Sequence, residues 1–169
     1  MNSFFSKLLG SQKKSTQVPA TYGVSLDYDK LIHLDAESLA EQGIQAAYEK
    51  LIPELKKYLD HPDEIKEVVD PDIPSYSVSL NGTEYLIYSD AIEGTVINSW
   101  PRAAYALFAI VNEQLTKTSV RFYAINGGND LGGMFLTPAH ALSAQAGISR
   151  KSDWPYIPDF NGPHFGQHH

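Results

Sequence analysis

The chain of 169 residues contains no cysteine. That single absence excludes disulfides, thiolate metal ligands and cysteine nucleophiles, and it fits a reducing compartment. No apolar run approaches the roughly 20 residues that a bilayer-spanning helix needs. The first residues lack the continuous apolar core and small-residue cleavage site of a secretory signal. Bases are scarce: 13 Lys and Arg stand against 20 Asp and Glu, a formal net charge of −7. Nucleic-acid binding, which relies on clustered bases to neutralise phosphates, is not expected. There is no Gly-x-Ser-x-Gly elbow and no Gly-Lys-Ser/Thr phosphate loop. These absences lead us to expect a cytoplasmic protein, and they favour a binding role over an enzymatic one without excluding the latter.

Histidine is present but poorly placed for metal. His61 reads as a loop residue beside acids, His140 lies early in a helix, and His164, His168 and His169 fall in the C-terminal stretch. No pair has zinc spacing with a third ligand, so neither a metal nor another cofactor is expected.

What the chain does have is an ordinary apolar fraction of 43%, enough for one core. The expected organisation is an arm over residues 1–20, a single domain over 21–148 and an extended aromatic, proline-rich tail over 149–169 packed on it. In the arm, Phe4, Phe5, Leu8 and Leu9 recur at helical spacing near Lys7, Lys13 and Lys14. It reads as a loosely docked helix or as a weak contact with an anionic membrane surface.

Alternation over Tyr22–Tyr28 predicts a short strand. Leu39, Ala40, Ile44, Ala47, Tyr48, Leu51, Ile52, Leu55 and Leu59 predict one long helix from Ala36 to Leu59, kinked at Pro53. Residues 61–74 read as a connection with one helical turn at Glu64–Val69. Asn81-Gly82 is a type I′ pair, predicting a hairpin over Tyr76–Ser89 that pairs Leu80 with Thr83, Val78 with Tyr85 and Tyr76 with Ile87. Ser99 is expected to cap an alanine-rich, buried helix over Trp100–Thr116. Strands Ser119–Ile125 and Leu131–Leu136 flank a glycine-rich turn, and Thr137-Pro138 opens a last helix ending at Gly147. The order predicts an α+β fold: a mainly antiparallel sheet built from hairpins, with about three helices on one face in two layers.

Three features invite a functional reading. From Asp27 to Asp72 thirteen acids face five Lys, whereas elsewhere seven acids face eight bases. Glu41, Glu49, Glu54, Glu64 and Glu67 are candidates for a partner-binding face. Carboxylate pairs among Glu64, Glu67 and Asp70 lie on a polar stretch and read as a solvated or binding face rather than a catalytic cleft. Asn126-Gly127-Gly128-Asn129-Asp130 is a wide hairpin turn with Asn129 or Asp130 capping the backbone, or else a ligand cradle. In the second case Asn126, Asn129, Asp130 and Arg121 would bind a ligand beside His140. Arg102 and Arg121 each read as an internal anchor for a carboxylate.

Ser99-Trp100-Pro101-Arg102-Ala103, Asn126 to Leu131 with Met134-Phe135-Leu136-Thr137-Pro138, and Asp153-Trp154-Pro155-Tyr156 resemble the C-terminal part of small bacterial proteins. Some of these resemble immunity proteins of polymorphic or contact-dependent toxin systems. The resemblance implies a cytosolic protein that binds and blocks a cognate toxin, and acidic surfaces suit basic targets. The alternatives are a small enzyme or ligand-binding domain built on the glycine-rich hairpin, and a peripheral membrane or scaffold protein acting through residues 1–9.

Overall fold

The structure is a computed structural model that describes residues 24–169. The arm, and with it the possible membrane contact, lies outside the described residues, as does Tyr22.

Alanine makes the central helix. In α3 (Ser99–Gln114) small side chains let neighbouring elements approach on nearly every side, and Ala103, Ala104, Ala106, Leu107, Phe108, Ile110 and Val111 are all buried. The helix lies between two three-stranded antiparallel sheets and touches both. One sheet has the order β1–β6–β5, from β1 (Ile32–His33), β5 (Arg121–Ile125) and β6 (Gly132–Leu136). The other is a meander of β2 (Ile65–Asp70), β3 (Ser75–Leu80) and β4 (Thr83–Ser89). The class is therefore α+β with antiparallel hairpins, its strands divided between two small sheets rather than joined in one.

The sheets owe their positions to packing of named rings. Phe122 of β5 is fully buried, stacked at 4.6 Å on Phe108 of α3 and at 4.6 Å from Phe135 of β6. Gly133 leaves the space that the Phe122 ring occupies, and a Cβ there would collide with it. A smaller core lies on the other face of this sheet, where Ile125, Met134 and Leu136 meet Ala141 and Ala144 of α4 (Pro138–Gly147). The Thr137 hydroxyl accepts from the His140 amide at 3.1 Å, so α4 starts and ends where its capping residues indicate.

Several local expectations are corrected. The predicted long helix breaks at Gln42, not Pro53: α1 (Ala36–Ser38) runs into a wide turn, Leu39–Gly43, before α2 (Ile44–Leu55) begins. Gln42 takes φ 67°, and Gly43 lies so close to the Ser38 carbonyl that only glycine fits. The new start is capped from outside. The Tyr76 hydroxyl accepts from the Ile44 amide at 3.2 Å, and Glu67 Oε1 accepts from the Gln45 amide at 2.8 Å. Pro53 falls in the last turn of α2, where it removes the amide that would pair with the Glu49 carbonyl but does not split the helix, which ends two residues on.

Of the strand expected at Tyr22–Tyr28, the described residues 24–27 form none; a short turn follows at Tyr28–Lys30, and the strand is β1 beyond it. The helical turn expected at Glu64–Val69 is strand β2, paired with β3 over its whole length. β-Branched Val68 and Val69 suit that pleat. The 81–82 hairpin has its predicted closing pairs, but a bulge between Tyr76 and Ser77 sets Tyr76 opposite Tyr88 instead of Ile87. Ser99 is the first residue of α3, not its cap, and the Asn98 before it makes no side-chain capping bond.

Candidate functional site

The predicted ligand set does not assemble. Arg121 sits at the opposite end of β5 from the glycine-rich turn. Its guanidinium donates to the carbonyls of Leu115 at 2.7 Å, Thr118 at 3.1 Å and Val120 at 2.6 Å. It closes the C-terminus of α3, where unpaired carbonyls attract a cation. It anchors carbonyls, not the expected carboxylate. Arg102 does likewise, donating through Nε to Leu86 O at 2.9 Å and Ile87 O at 3.0 Å, with Phe160 beneath it.

Asn126 and Asp130 do meet. With Tyr28, Arg150, Ser152, Asp153 and Gln167 they line a polar cleft of about 490 Å³. Asn129 and Asp130 are exposed, and neither side chain caps the backbone among the described residues. The turn is held instead by Tyr156, whose hydroxyl donates to Asn126 O at 2.9 Å. Burial pushes that phenol up to about 12. His140 lines neither this cleft nor the one beside it, and its Nε2 is buried without a hydrogen-bond partner.

A second cleft, of about 540 Å³, adjoins the other side of the same turn. Trp100 and Pro101 of α3, Gly127, Gly128, Tyr156 and Phe165 line it, with Gln167 and His164. It is an open trough lined by both apolar and polar groups. Among the described residues no three His, Asp or Glu gather as a metal set.

The acidic candidates separate by role. Glu67 is structural: besides capping α2 it accepts from the Tyr76 hydroxyl in a short hydrogen bond. Burial, and then this bond, raise the Tyr76 phenol far above its ordinary value. Glu54 is paired with Lys57 at 2.7 Å. Glu49 and Glu64 are exposed and line one groove between α2 and the start of β2, together with Gln45, Tyr48, Ile52 and Asp63. The rim of this groove is fixed: Tyr48 donates to Asp63 O at 2.7 Å, and Gln114 Oε1 accepts from the Asp63 amide at 2.8 Å. Glu41 lies apart, at the break before α2, in a groove with Tyr88, Asp90, Val96 and Trp100.

Sequence reasoning missed Asp90, Val96 and Trp100 as surface residues of one groove. A signal was available. From Glu67 to Pro101 there are six acids and no Lys or Arg. No helix among the described residues is long and apolar enough to cross a membrane. Compared with known proteins, the chain matches no family model, no curated protein and no solved structure.

Proposed function

We propose that the chain is a protein-binding module that captures a basic partner through its acidic side, an immunity-type inhibitor of a cognate toxin in the bacterial cytoplasm. The observation that carries this is the groove holding Glu49, Asp63 and Glu64 together on a pinned rim. Clustered carboxylates on a pre-formed surface accelerate encounter with a positively charged protein and disfavour acidic competitors. Glu41 extends the acidic side at the helix break, Glu54 adds a solvent-exposed carboxylate beside Lys57, and Glu67 braces the start of α2.

The test is co-expression with the product of the adjacent reading frame. Rescue from growth arrest and a purified complex support the reading. Glu49→Lys with Glu64→Lys is expected to slow association about tenfold or more at low salt, with folding intact. Unchanged association in that variant removes the groove from the interface, and no complex with any basic protein removes the reading.

A second reading, a small-molecule binder, is favoured by one observation: the 540 Å³ trough falls within the size of ligand sites, roughly 300–1,000 Å³. Its aromatic walls, Trp100, Tyr156 and Phe165, suit a planar ligand. Trp100 emission under a panel of nucleosides and aromatic acids separates the two readings, since a protein-only module leaves it unmoved. Membrane attachment through residues 1–9 remains a third, tested by liposome binding before and after their deletion.

A further inference from the structure

The end of the β2–β3–β4 sheet carries an unusual surface. The 71–74 turn and the 90–98 loop meet there, joined by the Asp90 amide donating to Pro74 O at 3.0 Å. Ile97 is 87% exposed, Val96 54%, Ile73 51%, Ile92 50% and Trp100 40%. Large aliphatic side chains scattered singly on a surface call for no explanation; several on two adjoining loops do.

The loop is not merely loose. Thr95, 5% exposed, is its inward anchor: its hydroxyl accepts from the Ser89 amide at 2.9 Å and reaches Ser89 O at 2.8 Å. Asn98 Nδ2 donates to Gly94 O at 2.8 Å. A loop that buries its threonine and exposes its isoleucines and valine is held outside-in relative to what solvent alone favours.

The charges around it have one sign. Glu41, Asp70, Asp72, Asp90 and Glu93 are exposed on or beside these loops, and none takes part in a salt bridge among the described residues. Lys66 and Arg102 are the nearest bases in sequence on either side. A second copy of this chain would bring the same acids face to face.

We infer that this sheet end is a docking surface for a basic amphipathic segment of a protein partner, its apolar side chains meeting Ile92, Val96, Ile97 and Trp100 and its lysines or arginines meeting the acidic rim. The inference rests on the protein-binding reading and names the anchor that the α2–β2 groove lacks. Apolar contacts at the centre with charges at the rim are the usual arrangement of an interface.

The experiment uses the full chain carrying Trp154→Phe, so that Trp100 alone reports. Three synthetic helical peptides of equal length are titrated: leucine–lysine, serine–lysine of the same charge, and leucine–glutamate. Only the first is expected to saturate and to shift Trp100 emission. Ile97→Asp should weaken it at least about tenfold, the size of a modest hot spot. Ile97→Ser, milder at so exposed a position, should weaken it less while circular dichroism stays unchanged. Equal binding of the serine–lysine peptide, or no effect of either substitution, overturns the inference. So does tighter binding once residues 1–14 are deleted, because the chain's own Lys-bearing arm would then be the occupant. If the partner from co-expression binds Ile97→Asp normally yet loses Glu49→Lys with Glu64→Lys, this surface alone is refuted; if it binds neither wild type nor variants, the protein-binding reading falls with it.

Discussion

The two sheets treat their exposed edges differently. In the β1–β6–β5 sheet the tail runs beside β5: Ala124 and Tyr156 exchange backbone hydrogen bonds at 2.7 and 3.0 Å, and Tyr156 is buried. In the β2–β3–β4 sheet β2 is an edge strand whose Val68 is 58% and Val69 44% exposed. Open edges with apolar side chains invite other chains. Here Lys66, Glu67 and Asp70 interrupt the strand with charge, which limits promiscuous pairing without covering the surface. The first sheet has its β5 edge met by the tail; the β2 edge of the second is left available, and the acids gather around it.

Removing the centre of the tail-covered sheet should have the largest effect. Phe122→Ala is expected to destabilise by about 3–5 kcal/mol, because the ring is wholly buried between Phe108 and Phe135. Chemical denaturation measures it; a loss below that of a surface substitution would mean the stack is not central.

Next comes the junction between α2 and the open sheet. Glu67→Ala strips the partner from the Tyr76 hydroxyl and the Gln45 amide, at a cost of about 1–3 kcal/mol. If Glu67 were instead a free recognition residue, stability would hardly move and only partner binding would change.

The tail contact is weaker and carries a pH signature. Tyr156→Phe loses one hydrogen bond, worth about 1 kcal/mol. The folded phenol is raised from 10.0 to about 12, so its contribution is complete below pH 10. As pH rises from there towards 12 the unfolded chain releases a proton that the folded one keeps, and stability falls. Denaturation midpoints at pH 9 and pH 11 should therefore differ less in Tyr156→Phe than in the wild type.

Smallest of all, Ile97→Ser should alter stability by no more than about 0.5 kcal/mol, since the side chain is 87% exposed. A larger loss would show that the 90–98 loop packs more than its exposure indicates, and the contrast between the sheets would blur.

Particular residues show how far the sequence could be read. Asn81 and Gly82 were legible as a turn because positive φ, here 49° and 87°, is a local demand that few residues meet. Thr137 and Pro138 were legible for the same local reason. The break at Gln42 was not, because α2 is capped by Glu67 and Tyr76, which are remote in sequence. Nor could Arg121 be assigned: spacing brought it near the glycine-rich turn, but a strand carries consecutive residues apart, and its guanidinium found the end of α3.

By itself the sequence determined the α+β class, the two hairpins, the buried alanine-rich helix and the acidic balance, since periodicity, turn chemistry and charge are properties of neighbours along the chain. Only the tertiary structure decided which carboxylates cap a helix or pair with a lysine and which lie at a groove rim without an ion pair among the described residues. It also decided that Ile92, Val96 and Ile97 face outward around a buried threonine. Those outcomes depend on which distant atoms arrive to satisfy each amide, hydroxyl and apolar surface.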